Sequence, residues 1–128
     1  MELMYNPECG TCRGALCLLN EKHLDVRVVE YLKETWTREK LEELLRMLEP
    51  GKDVVNPLIM MRTRESAFTE MKLDQLNGED PEDRLKLLDA MIQVPRLIQR
   101  PIFVKDGRAI IGRPADRLLE LLKVENRS

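Results

Sequence analysis

Cys9-Gly-Thr-Cys12 is the segment of this sequence best equipped for chemistry. Two thiols three residues apart can share the start of a helix. The first then faces the orphan N–H groups of the helix N-terminus, and the second lies inside the first turn. The positive end of the helix stabilises a thiolate and lowers its pKa. This spacing predicts Cys9 as a nucleophile and Cys12 as a more buried, resolving thiol. Glu8 opposes the effect slightly and Arg13 supports it. The plain alternative is a pair of small core residues at a helix start, but a C-x-x-C at a strand-to-helix junction favours redox chemistry. Zinc is the rival chemistry, because Cys9, Cys12, Cys17 and His23 supply four ligands in number. Cys17 and His23 lie six residues apart, however, and on one helix they point about 120° away from coincidence. No metal is expected. Cys17 reads as a small apolar helix residue. His23, the only histidine, reads as a helix-end residue that meets the dipole or solvent.

The thiols need elements to hold them. Residues 2–5 predict a short strand, broken by Asn6-Pro7. A helix follows, capped by Thr11, with Leu16, Leu19 and His23 on one face beside Ala15 and Leu18. The β-branched run at 26–31 predicts a second strand, and a helix between two strands favours a parallel pair. The middle of the chain is helical. Leu41, Leu44, Leu45 and Leu48 form a stripe ended by Pro50-Gly51. Asn56-Pro57 starts a short helix through Met61, and another piece lies near Ala67–Met71. Asp80-Pro81-Glu82-Asp83 starts a helix whose apolar face continues through Leu85, Leu88 and Ile92. The end returns to strands at 101–105 and 109–111, joined by an Asp106-Gly107 turn. Arg113-Pro114 opens a last helix through Leu122. The order is β-α-β, a helical block, then β-β-α. Without the block, this is the α/β order of the thioredoxin and glutaredoxin fold, with a mixed sheet. The chain reads as a single domain, 1–128, with its core in 1–32 and 98–124 and a helical insertion at 33–97.

Composition bounds the function. The 128 residues carry 21 basic and 23 acidic side chains, a net charge of −2, which argues against a nucleic-acid-binding stripe. Charged residues reach 34% against about 25% in an average chain, so solvated helix faces are expected. Hydrophobic residues, at 43%, suffice for a core and exclude disorder. No apolar run is long enough to cross a bilayer, and the N-terminal residues lack the pattern of a secretory signal. Three cysteines crowded between positions 9 and 17 are not a disulfide framework. The expected location is cytoplasmic.

With the arginines the pattern becomes specific. Asn6-Pro7-Glu8-Cys9-Gly10-Thr11-Cys12-Arg13 resembles the N-P-x-C-G-T-S-R loop of the glutaredoxin-type arsenate reductases, the ArsC family. Met61-Arg62-Thr63-Arg64-Glu65, Gln99-Arg100-Pro101-Ile102 and Ile111-Gly112-Arg113-Pro114 resemble that family's three arginine segments, in the same order. The resemblance implies a glutaredoxin-like fold with a helical insertion and Cys9 as the active-site cysteine. It implies Arg62, Arg100 and Arg113 as oxyanion ligands, and Asn6, Gly10, Thr11 and Arg13 as loop support. It also implies a cis peptide between Arg100 and Pro101. Arsenate is the implied substrate, with no bound cofactor and with glutathione and glutaredoxin as electron source; a monomer is expected. The chemistry is coherent, because an anionic nucleophile attacking an anion needs planar guanidinium donors and helix N–H groups to neutralise charge. Arg100 and Arg113 each precede a proline beside a core element, so each guanidinium leaves a fixed backbone. Arg64, Arg96, Arg108 and Arg117 read as solvated surface charges.

Two positions depart from the family loop. Tyr5 stands where a histidine often precedes Asn-Pro, and tyrosine is not cationic near neutral pH. Cys12 stands where the reductases often carry serine. An intramolecular Cys9–Cys12 disulfide would let thioredoxin replace glutathione as reductant. The C-x-x-C is also similar to the Spx branch of the superfamily, which binds RNA polymerase and uses the pair as a redox switch. The alternatives to an arsenate reductase are therefore a Spx-like regulator and a thiol-disulfide oxidoreductase without arsenate activity. The three arginines favour the enzyme, since a switch has no need of converging cations.

Overall fold

The computed structural model describes residues 1–125. In chain order the elements are β1 (Glu2–Tyr5), α1 (Gly10–Glu21), β2 (Arg27–Glu30), α2 (Arg38–Leu48), α3 (Ser66–Glu70), α4 (Pro81–Gln93), β3 (Ile102–Lys105), β4 (Arg108–Ile111) and α5 (Leu118–Glu125). Residues 1–34 and those from 100 onward form one unit; residues 35–99 form a second.

The first unit is a four-stranded mixed sheet in the order β2-β1-β3-β4. β1 and β2 are parallel, as a helical crossover requires, and β3 pairs antiparallel with both β1 and β4. Asp106 and Gly107 turn the β3–β4 hairpin at φ 51° and 78°, the left-handed pair of a tight two-residue turn. Helix α1 buries Cys12, Ala15 and Leu19, one helical stripe, against the sheet. Leu3, Ala15, Leu19, Phe103, Leu118 and Leu121 form the apolar core of the unit, with Tyr5 and Leu16 packed on it. The α/β class and mixed sheet match the sequence reading.

Several local expectations are corrected. Thr11 does not cap α1: the cap position is Cys9, with no side-chain cap bond. The chain turns earlier, because Asn6 Oδ1 accepts the Glu8 N–H (3.0 Å) and the Asn6 carbonyl accepts the Cys9 N–H (3.0 Å). Thr11 thus falls inside the first turn. Cys17 is exposed, not packed, with its Sγ 3.9 Å from Glu21 Oε1. Five residues after buried Cys12, it is rotated about 140° from that face. His23 is exposed and adopts φ 57°, a left-handed position just past the end of α1. Tyr31 leaves β2 for a single 3-10 turn, and the last helix is preceded by another 3-10 turn at Ala115–Arg117.

In the second unit polar side chains cap the helix starts, at Asp80 as the sequence predicts. Thr37 caps α2, accepting the Lys40 N–H at 3.2 Å, and Asp80 caps α4, accepting the Asp83 N–H at 3.0 Å. Asn56 Oδ1 accepts the Leu58 N–H at 2.9 Å and opens the 3-10 turn Pro57–Met60. The apolar face of α4 differs from expectation. Leu85 is exposed, and Arg84, Leu87, Leu88, Ala90 and Met91 are buried. Arg84 enters the interior because its guanidinium is paired there: Nε–H donates to the Val55 carbonyl (3.0 Å) and Nη2 pairs with Glu42. Arg38 adds a two-pronged pair to Asp89 (2.8 and 2.7 Å) between α2 and α4. Among the described residues, no helix is long and apolar enough to cross a membrane.

Candidate active site

Sheet register gathers the chemistry of the first unit. Tyr5 lies opposite Glu30 in the parallel pair β1–β2. Met4 lies opposite Ile102 at the start of β3, and Ile102 lies opposite Ile111 at the end of β4. The segments that continue from these residues therefore leave one end of the sheet. They are the Asn6–Cys9 loop, Tyr31, Arg100-Pro101 and Gly112-Arg113. This is the carboxyl end of the parallel strands, where α/β sheets receive ligands.

The loop is held by its own polar groups. Besides the two Asn6 bonds, Arg13 Nη1 donates to the Pro7 carbonyl at 2.9 Å. The Arg13 N–H donates to the Cys9 carbonyl at 3.1 Å, the first bond of the helix. Gly10 has no steric obligation, since a Cβ there would meet only Arg13 Nη2 at 3.9 Å. All three cysteines are free thiols. Cys9 is 8% exposed and Cys12 fully buried.

The two thiols are driven apart electrically. Burial pushes the Cys9 thiol up, but the Cys12 N–H, the Cys12 thiol and the Arg100 guanidinium outweigh it, and Cys9 lies below the ordinary thiol value. Burial pushes Cys12 up to about 11, and the neighbouring Cys9 charge adds to the rise. Arg113 Nη2 lies 3.6 Å from Cys9 Sγ, and its Nε–H donates to the Arg100 carbonyl at 2.7 Å. The Arg100 Nε–H is buried and has no acceptor among the described residues. Buried donors are rarely left so. The peptide between Arg100 and Pro101 is cis, as the resemblance implied; that between Arg113 and Pro114 is also cis, which was not anticipated.

Gly112 fixes the approach of Arg113. Its N–H donates to the Pro101 carbonyl at 2.9 Å. A Cβ at this position would lie 2.8 Å from Leu118 Cδ2 and 3.1 Å from Pro101 Cγ. Only glycine allows the backbone so close.

The structure thus brings Cys9, Cys12, Arg100 and Arg113 together in the first unit, with Asn6 and Arg13 bracing the loop. Arg62 belongs to the second unit, where it pairs with Glu65 at 3.4 Å. Its backbone N–H donates to the Leu97 carbonyl at 2.6 Å, beside the Met61–Ile98 bridge. Tyr5 packs on the core, and the groups that lower Cys9 are Cys12 and Arg100. Sequence reasoning missed Tyr31, which is fully buried and electrically linked to Arg100, Cys12 and Cys9. Its only sequence signal was an aromatic residue at the end of a strand parallel to the one that carries the cysteine loop. Among the described residues, no three His, Cys, Asp or Glu side chains are grouped to hold a metal.

A low-pKa thiol at the start of the first helix of a β-α-β unit, completed by an antiparallel hairpin, is the architecture of a thioredoxin-like thiol protein. The ArsC family profile matches residues 4–121, and the chain belongs to that family. It is 34% identical over 123 residues to the uncharacterized protein YfgD of Escherichia coli K12, covering 95% of this chain and 96% of that one. It is 34% identical over 122 residues to the arsenate reductase of Neisseria meningitidis serogroup B, covering 95% and 97%. Among solved structures, a putative arsenate reductase from Yersinia pestis superposes with a TM-score of 0.78 at 36% identity, covering 93% of this chain and 97% of that chain.

Proposed function

We propose that this protein reduces arsenate to arsenite with electrons from thiols, through a cysteinyl-arsenate intermediate on Cys9. The observation that carries the reading is the buried, unpartnered Arg100 Nε–H on a guanidinium that helps to lower the pKa of the Cys9 thiol. Membership of the ArsC family and likeness to the Neisseria arsenate reductase support it.

Arsenate is a tetrahedral oxyanion, and Arg100, Arg113 and the N-terminus of α1 offset its charge. The Cys9 thiolate forms a bond to arsenic, and one arsenate oxygen takes up protons and leaves as water. A second thiolate then attacks Cys9 sulfur. The sulfur–arsenic bond breaks, its electron pair stays on arsenic, and As(V) becomes As(III). Two thiols are oxidised to one disulfide, which balances the two electrons gained by arsenic.

In this reading Cys12 is that second thiol. While Cys9 is anionic, its charge helps to hold Cys12 protonated. Once Cys9 is bonded to arsenic, that contribution disappears and Cys12 ionises more readily. A Cys9–Cys12 disulfide would be reopened by thioredoxin; attack by glutathione instead would leave a mixed disulfide for glutaredoxin. In this reading no cofactor is bound, and the protein works as a cytoplasmic monomer. Its residues 33–97 are an insertion in one ArsC-like domain. Arg62 enters as a third oxyanion ligand on its sequence motif alone.

The test is steady-state arsenite formation with glutathione–glutaredoxin and with thioredoxin. Cys9→Ser abolishes turnover in both; retained turnover would show that another group is the nucleophile. Cys12→Ser keeps activity with glutathione and loses it with thioredoxin. Full activity of Cys12→Ser with both donors would make Cys12 a bystander. Arg62→Ala raises the arsenate KM or lowers kcat; no change in either removes it from the site. If no thiol system supports arsenate turnover and the protein binds purified RNA polymerase, the regulatory alternative replaces this one.

A further inference from the structure

We infer that Gln99 is a positioning residue, whose side-chain amide fixes the peptide unit leading into Arg62 and so aims the Arg62 side chain. The inference rests on the reading of Arg62 as an oxyanion ligand and adds to it the group that holds its backbone. Both residues belong to the second unit. Two short segments, 60–62 and 97–99, meet there at the antiparallel bridge between Met61 and Ile98. The Gln99 N–H donates to the Met60 carbonyl at 2.7 Å, and the Arg62 N–H donates to the Leu97 carbonyl at 2.6 Å.

These two bonds leave the Met61 carbonyl to be satisfied. Met61 is 1% exposed, so water has little access to it, and buried carbonyls seldom go unpaired. Gln99 Nε2 donates to that carbonyl at 3.1 Å. The Met61 carbonyl and the Arg62 N–H are the two ends of one planar peptide unit. With its oxygen held by Gln99 and its hydrogen held by Leu97, the plane cannot turn without breaking a bond. On the far side of Arg62, its own carbonyl accepts the Glu65 N–H at 3.1 Å. Both peptide units that flank Arg62 are therefore held, and the direction of its Cα–Cβ bond is set.

An arginine on a loose backbone loses backbone freedom as well as rotamer freedom when it grips an anion. Here the backbone share is already lost on folding, which is preorganisation of the ligand arm. The guanidinium itself is less tightly held. Its Nη1 lies 3.4 Å from Glu65 Oε2, longer than the roughly 2.7–2.9 Å of a strong charge-assisted bond. The Arg62 arm thus has a fixed root and a tip still able to take an oxyanion, and Gln99 supplies one of the bonds that fix the root.

Gln99→Met keeps the length and bulk of the side chain and removes the donor, while the backbone bond from residue 99 to Met60 remains. The first readout is amide hydrogen exchange by NMR without arsenate. The Arg62 amide is expected to exchange about fivefold faster, the loss of one neutral hydrogen bond, while amides of α2 in the same unit keep their rates. The second readout is arsenate kcat/KM. It is expected to fall about fivefold, and to fall no further when Gln99→Met is added to Arg62→Ala, as residues acting through one path are not additive. The third is iodoacetamide alkylation of Cys9 against pH, followed by residue-resolved mass spectrometry. Its midpoint follows Cys12 and Arg100 and is expected to stay. An Arg62 amide that is unchanged, or that quickens only together with α2, overturns the inference. So does an unchanged kcat/KM where Arg62→Ala lowers it, or an equal fall with and without Arg62. A shifted Cys9 midpoint overturns it as well, since the substitution would then act through Arg100. If Arg62→Ala leaves turnover intact while Gln99→Met loosens the Arg62 amide, the reading of Arg62 as a ligand fails and the hold of Gln99 on its backbone stands.

Discussion

Two glycine-to-alanine changes with opposite expected signs test whether the close packing at Gly112 sets the site. At Gly112 the added methyl would stand 2.8 Å from Leu118 Cδ2 and 3.1 Å from Pro101 Cγ. Carbon atoms prefer about 3.5–4.0 Å, so one or both neighbours must give by up to roughly 1 Å. Leu118 is fully buried in the core cluster and Pro101 is a buried ring, so neither moves aside freely. Gly112 does not have a positive φ, so alanine gains about 0.4–1 kcal/mol from a stiffer unfolded chain. Overpacking costs about 1–3 kcal/mol, and the cost wins by about 1–2 kcal/mol. An unfolding entropy of about 2.1 cal/mol/K per residue translates this into a Tm lower by about 4–7 °C. Gly112 also bonds to Pro101 and precedes Arg113, so the Cys9 alkylation midpoint should rise with the stability loss. Gly14→Ala is the control. Its methyl would meet Ala115 Cβ at 4.0 Å, ordinary contact, in the middle of α1. Helix propensity then stabilises by up to about 1 kcal/mol. Differential scanning calorimetry separates the two variants. A Gly112→Ala protein as stable as the parent, with an unchanged Cys9 midpoint, would refute the packing argument.

The remaining predictions follow from the same contacts. Alkylation of the parent protein should modify Cys9 with a midpoint below the ordinary thiol value of 9.0, and Cys12 only toward about 11; equal midpoints would show that the thiols are not split. Because the folded Cys12 pKa is raised, its stabilising contribution is present below pH 9.0 and is lost as pH rises through about 11. Cys12→Ser should therefore lose less stability than the parent over that window in urea titrations. Arg84→Met leaves Glu42 and the Val55 carbonyl without their guanidinium partner, and should cost about 2 kcal/mol in urea unfolding; a neutral result would mean that packing, not pairing, holds Arg84.

Much of the fold is local and was legible. Asp80-Pro81 announces α4, because a cap acts over three residues. Asp106-Gly107 announces the β3–β4 hairpin, because few residue pairs tolerate two positive φ angles. The helical connection between the first two strands imposes their parallel pairing. Which side of a helix is wet was less legible. Cys17 reads as apolar and is exposed, and Leu85 reads as core while Arg84 takes the interior place. The reason is that burial depends on partners remote in sequence, here Glu42 and Val55 for Arg84.

The same division runs through the site. The sequence by itself determined the candidate reacting group: two thiols at a strand-to-helix junction, in a loop and among arginine segments that resemble one family. The Cys12 share in lowering Cys9, and the burial of the second thiol, follow from where a helix begins, which is a local property; the Arg100 share does not. Tertiary structure alone decided which cations serve that thiol. Arg113 reaches Cys9 across 104 positions of chain, and its guanidinium is braced by the carbonyl of Arg100. Strand register, set by the pairing of whole strands, places these side chains at one end of the sheet, and no spacing along the chain encodes it.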